Sequence, residues 1–364
     1  MTATTPAPTP PEPQEPARSP HDQKGSYVHE GKSFQRDMRY IPDRITRDGR
    51  DGWPVEAGRY RLIAARACPW ANRTLISRRL LGLEEAISLG MPGPTHDRRS
   101  WTFDLDPDGR DPVLGYERLQ EAYFARYPDY PRGITVPAVV DVPTRKVVTN
   151  DFQQITLDFA TEFAPLHREG APDLYPEAQR AEIDELNRWM LHRVNNGVYK
   201  AGFAGTQDAY ETAYAELWEA LDVLETRLAD RRYLMGPSIT EADVRLFPTL
   251  VRFDPVYFSH FKTNRQPLFT MPNLWAYTRD LFQTPGFGDT IDFQQIKEHY
   301  YVVQTDINPT RVVPAGPDLE RFLEPHDRDL LPSDTWGPGG SAPLSPLAAE
   351  VVDPAHTPLH VTGR

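Results

Sequence analysis

Cysteine is almost missing from this 364-residue chain: there is one, Cys68. A single thiol excludes an internal disulfide and any metal site built from several cysteines. No stretch reaches the roughly 18 to 20 continuous apolar residues that a membrane-spanning helix needs. The N-terminus, MTATTPAPTPPEPQEPARSP, has no apolar core behind a basic start, so no secretory signal is read and the expected location is the cytoplasm. Positive charge is short as well. The formal net charge is −12, without the clustered basic surface that binding to a phosphate backbone requires. Phosphate-cradling loops of the G-x-x-x-x-G-K type are absent, and so are repeats of solenoid length. Neither a nucleic-acid nor a membrane partner is expected.

Proline is plentiful, at 37 residues, and much of it lies in the tails and loops. Residues 1–25, rich in Pro, Thr and Glu, carry too little apolar surface to offset chain entropy and read as a disordered tail. The segment 331–364, with GPGGSAPLSP and DPAHTPLH, reads the same way. Two folded units remain. The first, 26–165, has an extended arm, then a buried strand in RYRLIAARA at 59–67 running into Cys68. A helical pattern follows over 72–81, and a Pro-containing turn, DVPTR, joins strands at 134–140 and 146–149. A further helix is expected over 151–163, with a variable insertion at about 90–130. This order is that of a thioredoxin-like α/β unit. The second unit, 175–325, is helical almost throughout. Ile183, Leu186, Trp189, Met190 and Val194 form one stripe, and Tyr210, Tyr214, Leu217, Leu221, Leu224 and Leu228 another. Ser238 to Glu241 reads as a capping box, with Asp243 one turn inside as a capping carboxylate.

The chemistry gathers at Cys68-Pro69-Trp70-Ala71, where a strand ends and a helix begins. Pro69 suits the first helical position, since its missing N–H would lack a partner there. A cysteine at that point faces the free amides and the positive end of the helix dipole, which lowers a thiol pKa; Arg66 and Arg73 are close in sequence. Ala71 stands where a C-x-x-C pair would have its second cysteine. A mixed disulfide at Cys68 would therefore be resolved by an outside thiol. The contrary reading, a small buried hydrophobic cysteine, ignores this setting. In Thr135-Val136-Pro137 a cis bond before Pro137 would leave the Val136 backbone able to pair with a peptide-like ligand; an ordinary trans Pro at a strand start is the alternative. His299 beside Glu298 lacks a third ligand, so no metal is expected.

Several segments together resemble the glutathione transferase superfamily, and in detail its Xi class, the glutathionyl-hydroquinone reductases. They are ACPWANRTL around Cys68, Trp101-Thr102-Phe103, ITVPAVVD at 134–141, VNNGVYKAGFA at 194–204, LVRFDPVYFSHFK at 250–262, and HYY with INPT between His299 and Thr310. The resemblance implies a thioredoxin-like N-terminal domain followed by an all-helical glutathione-transferase C-terminal domain. It implies a thiol-dependent reductase acting on glutathionyl-(hydro)quinone thioethers through Cys68, with glutathione as cosubstrate. By the same resemblance Tyr199 and Tyr300 line an aromatic substrate pocket and act on the quinol oxygen. Trp101, Val136, Pro137, Asn150 and Asp151 would hold the thiol cosubstrate, and a homodimer would form through the helical domains.

The departures fall near the cosubstrate. The family usually has Asn-Glu-Ser after the hairpin, where this chain has Asn150-Asp151-Phe152. Phe152 offers no hydroxyl, and losing a hydrogen bond to a charged ligand end commonly costs about 1 to 3 kcal/mol. Asn72 replaces the usual His, and Arg132-Gly133 inverts a usual Gly-Arg. With richness in Arg, Pro and Ala against six lysines, the sign of a GC-rich genome, these changes make mycothiol the alternative cosubstrate. A non-catalytic ligand-binding member of the fold is the third reading.

Overall fold

The computed structural model describes residues 33–38, 40–97 and 99–344. The segment read as disordered at 1–25 lies outside them, as does 345–364 of the C-terminal one. The chain's short apolar runs build one four-stranded sheet in the order β2-β1-β3-β4. Strand β1 (Tyr60–Ile63) is buried along its whole length, which its sequence YRLI allows because Arg61 is neutralised by buried Asp111 at 2.8 Å. Helix α1 (Pro69–Leu81) follows. It stops at Gly82, which lies at φ 68° with Arg168 packed so close that a Cβ would fall 2.5 Å from it. Only glycine meets both conditions.

Strand β2 (Ile87–Gly90) runs parallel to β1. Helix α2 (Gln120–Arg126), inside the stretch read as an insertion, packs on the hairpin. Strands β3 (Ala138–Asp141) and β4 (Lys146–Thr149) form that hairpin, β3 antiparallel to β1. Helix α3 (Phe152–Thr161) starts at Asp151, whose carboxylate accepts from the amides of Gln153 and Gln154, and lies against α1. This is the thioredoxin-like domain that the order of elements implies.

The second domain is built from α4 (Arg180–Met190), α5 (Gly197–Gly202), α6 (Gln207–Arg227), α7 (Glu241–Leu250), α8 (Pro272–Gln283) and α9 (Phe293–Glu298). On α6 the buried side chains Leu217, Leu221 and Leu224 recur at the helical spacing read from the sequence, while Tyr210 and Tyr214 are only half-buried. The capping box sits two residues beyond its expected place. Thr240 is the cap of α7 and Asp243 its reciprocal partner, taking the amides of Thr240 and Leu234. Glu241 is occupied elsewhere: fully buried, it accepts from Thr156, Asn187 and Arg245 and ties α3 to α4 and α7.

Three π-helical turns interrupt this domain, at Leu191–Asn195, Phe253–Tyr257 and His299–Val303. Residues 331–344, expected to be disordered, form a strap over both domains. Thr335 accepts from the Ile239 amide, the Asp334 amide donates to Pro237, and the Ser341 amide donates to Gly170. Arg79 of α1 reaches the Leu344 carbonyl. The strap carries no periodicity because backbone groups, arginines and the isolated apolar contacts of Trp336 and Pro343 hold it, not a repeating apolar face. Among the described residues no helix is long and apolar enough to cross a membrane, and no cluster of His, Cys, Asp and Glu is suited to a metal.

Candidate functional site

Cys68 is the cap residue of α1, with extended backbone at φ −81° and ψ 120°, and Pro69 opens the helix behind it. It is partly exposed. Its thiol donates to the Val136 carbonyl at 3.5 Å, and the Val136–Pro137 bond is cis. The Val136 amide has no hydrogen-bond partner among the described residues. Strand β3, with Ala138 opposite Ile63, therefore begins beyond an open backbone donor lying beside the thiol.

The expected fall in the thiol pKa is not what this setting produces. Burial pushes Cys68 up, and this outweighs the amides of Ala71 and Trp70 and the charges of Arg252 and Arg36, all of which pull it down. A helix N-terminus favours a thiolate, but the protein packed around this sulfur removes water that would solvate the charge.

Across from the thiol the helical domain presents three phenols. Tyr300 is the hub: its hydroxyl lies 2.5 Å from that of Tyr199 and 3.0 Å from that of Tyr257. All three are buried, and burial raises the pKa of each, so the phenols hold their protons at neutral pH. Three hydroxyl protons serve two close contacts, and the third proton is held only by the looser contact between Tyr199 and Tyr257. Tyr199 and Tyr257 both feel the charge of Cys68. The expected pair Tyr199 and Tyr300 is thus brought together. Tyr257, within the LVRFDPVYFSHFK segment, is a third member that residue-level reading missed.

The walls are aromatic. Trp70 lies 4.6 Å from Phe152 and 6.1 Å from Tyr199, ring to ring. The Arg36 guanidinium sits 4.4 Å over Trp70 and 4.9 Å over Tyr199, while its Nε donates to Asn196 at 2.7 Å. Arg36 belongs to the arm before β1, and nothing local in its sequence signals that role. Trp101 stacks on His299 at 5.1 Å, and His96 meets its edge. His299 Nδ1 lies 2.8 Å from the Pro94 carbonyl, an acceptor, so that nitrogen carries the proton. Burial and neighbouring His96 hold His299 down to about 3. It is a neutral packing residue.

The other expected cosubstrate residues divide. Asp151 is at the α3 start, its carboxylate committed to the cap, and the Phe152 amide beside it has no partner among the described residues. Asn150 faces the interior instead of the cleft. Its Oδ1 accepts from Ile41 at 2.8 Å and its Nδ2 donates to Thr135 at 2.8 Å, pinning the arm to the hairpin. Three of the departures have structural work to do. Phe152 is buried against Trp70 and Tyr40. Asn72 is fully buried, donating to Thr290 at 2.7 Å and accepting from Arg252 at 3.1 Å, and so does not face the cosubstrate end. Arg132 binds Asp37 of the arm at 2.7 Å.

Comparison with known proteins shows the family. Residues 67–162 match the family model "Glutathione S-transferase, N-terminal domain", and residues 207–280 match "Glutathione S-transferase, C-terminal domain". The chain is 42% identical over 310 residues to glutathionyl-hydroquinone reductase YqjG of Escherichia coli, covering 82% of this chain and 93% of that protein. A glutathione-bound structure of YqjG superposes with a TM-score of 0.76 at 40% identity, covering 85% of this chain and 98% of that one. A glutathione transferase from Gordonia bronchialis gives a TM-score of 0.84 at 66% identity, covering 86% and 98%. A Xi class enzyme from Natrialba magadii gives 0.78 at 41%, covering 83% and 94%. The likeness runs through both domains and over most of the length: the chain belongs to the Xi class of the glutathione transferase superfamily, the family of the glutathionyl-hydroquinone reductases.

Proposed function

We propose that the protein is a reductase that cleaves glutathionyl-hydroquinone-type thioethers through a mixed disulfide at Cys68, with glutathione as cosubstrate. One observation carries the reading: a lone thiol at a helix start stands within electrostatic reach of two protonated phenols, Tyr199 and Tyr257, both joined to Tyr300. The Cys68 thiolate attacks the sulfur of the conjugate. The bond from that sulfur to the ring breaks with its electron pair moving to the ring carbon, which takes up a proton. The ring is reduced and leaves as hydroquinone, and the sulfur is oxidised to a Cys68–glutathione disulfide. A second glutathione thiolate then attacks the glutathione sulfur, releasing glutathione disulfide and Cys68.

In this scheme Tyr199, Tyr257 and Tyr300 share a loosely held hydroxyl proton that binds the quinol oxygen and steadies charge on the departing ring. Trp101 and Trp70 supply the apolar walls. The Val136 backbone pairs with the peptide part of the thiol, next to Pro137, and the α3 start at Asp151 and Phe152 takes its charged end. Asn150 acts through the shape of the site, by holding arm and hairpin together. A second thiol, mycothiol, is favoured by one feature: buried Phe152 offers no hydroxyl where the family places Ser. The helical domains are proposed to form a homodimer, which sedimentation at micromolar concentration tests.

Intact-mass spectrometry after incubation with glutathione disulfide, and separately with mycothiol disulfide, tests the chemistry. A glutathione adduct that disappears in Cys68→Ser, together with turnover of a glutathionyl-hydroquinone, is the expected result. An adduct from mycothiol alone moves the assignment to that thiol. No adduct from either leaves the non-catalytic reading in its place.

A further inference from the structure

Arg252 lies between α7 and the π-helical turn that carries Tyr257, and it is completely buried. Buried charges are ordinarily paired with an opposite charge. Among the described residues Arg252 has no ion pair, and its hydrogen bonds all end on neutral acceptors. Nη2 donates to the Arg66 carbonyl at 2.8 Å and Nε to the Ala67 carbonyl at 3.2 Å. Nη1 donates to the Pro248 carbonyl at 2.9 Å and to Asn72 Oδ1 at 3.1 Å. Arg66 and Ala67 are the two residues leading into Cys68, and the Asn72 amide closes the first turn of α1 on the Cys68 carbonyl at 3.0 Å. One guanidinium from the helical domain thus grips the thiol-bearing turn of the other domain on both sides of the sulfur. Among the described residues no side chain supplies its counter-charge.

We propose that Arg252 is the positioning residue of Cys68: it fixes the 66–68 turn across the domain boundary and supplies the buried positive charge for which the Cys68 thiolate is the counter-ion. The inference rests on the reading of Cys68 as the working nucleophile. Other groups reach the thiol as well. Arg36 comes from the arm, Tyr199 from α5 and Tyr257 from the π-helical turn, while Arg73 lies on α1 itself. Arg36 stacks on Trp70 and is bonded to Asn196; Arg73 stacks on Trp70 and donates to the Arg245 carbonyl. Neither is seated on the carbonyls of the thiol's own turn. Asn72 fits the same logic, since a neutral acceptor orients the guanidinium without quenching it.

The test is the rate of Cys68 alkylation by iodoacetamide as a function of pH, in the full chain, for the wild type, Arg252→Gln and Arg252→Lys. With one cysteine in the sequence the reagent reports on this thiol alone. The glutamine variant, which keeps a hydrogen-bonding side chain but no charge, is expected to raise the titration midpoint by about one unit or more, slowing alkylation at neutral pH about tenfold. The lysine variant keeps the charge and is expected to return most of that shift. A folded glutamine variant with the wild-type midpoint, or a lysine variant shifted as far as glutamine, overturns the proposal. Should the glutamine variant not fold, lysine decides alone: a midpoint near wild type supports the assignment and a raised one rejects it. Alkylation needs no quinone conjugate, so failure here leaves the reductase reading standing, and a wild type without turnover leaves the midpoints interpretable.

Discussion

Replacing Tyr300 by phenylalanine removes one oxygen and strands two others. In the intact protein the Tyr300 hydroxyl lies 2.5 Å from that of Tyr199 and 3.0 Å from that of Tyr257, and the remaining hydroxyl contact of those two phenols is with each other. Tyr257 is wholly buried and Tyr199 only 8% exposed, so water does not readily take the vacated place. A buried hydroxyl left without a partner costs about 1 to 3 kcal/mol, so two of them put Tyr300→Phe at about 2 to 6 kcal/mol, less what their contact with each other returns. Tyr199→Phe and Tyr257→Phe each break one close contact while Tyr300 keeps the other, and each is expected to cost about 1 kcal/mol. The triple phenylalanine variant has no stranded hydroxyl, so its loss is expected to fall short of the sum of the three single losses. Urea unfolding at neutral pH measures all of these. Equal losses from the three single variants, or a strictly additive triple variant, would refute the hub arrangement.

Acid sensitivity follows from buried histidines. Burial holds His260 down to about 4 and His299 down to about 3, against about 6.5 in an unfolded chain. Between those values the unfolded state binds protons that the folded state refuses, so their contribution is complete above about pH 6.5 and is lost as the pH falls. Asp254, pushed up to about 6 by burial, works in the opposite direction. Scanning calorimetry of His260→Gln is expected to show a flatter fall in Tm between about pH 6.5 and 4.5, and Asp254→Asn a steeper one. Removing residues 331–364 deletes the three backbone hydrogen bonds that tie the strap to Gly170, Pro237 and Ile239 and is expected to cost about 3 kcal/mol in urea unfolding, at about 1 each. Unchanged stability in that truncation would show that the strap contributes nothing to domain cohesion.

What could be read from the chain was local. Cys68-Pro69 announces a strand-to-helix junction, DVPTR a hairpin, and the Leu217, Leu221, Leu224 spacing an amphipathic helix; all three stand in the structure. Strand β2 and helix α2 were not legible, because four and seven residues carry too little period to be told from loop. The misplaced box at Ser238 shows a true motif assigned to the wrong register, since Thr240 and Ser238 are equally good caps in isolation. The thiol's direction of shift departs from the expected fall for a different reason. Helix position is visible in sequence, whereas desolvation depends on everything packed around the sulfur. Asn72 and Asn150 likewise looked like ligand-facing residues, and only the tertiary structure shows each holding two segments together. Arg36 and Arg252 come from distant segments and have no local signature at all.

The π-helical turns give the phenol cluster an uncommon kind of fragility. Tyr257 and Tyr300 each lie on such a turn, and Tyr199 lies just after the third. A π-helical turn holds one residue more than the regular helix around it, and each residue in a helix rotates the next side chain by about 100°. The meeting of three hydroxyls is therefore fixed by the number of residues in the chain as much as by their kind. A one-residue deletion among residues 253–256 would keep every tyrosine and yet swing the remainder of that helix away from Tyr300. Relatives that differ by single insertions or deletions at these turns would thus be expected to reshape the pocket for other aromatic substrates without altering one tyrosine.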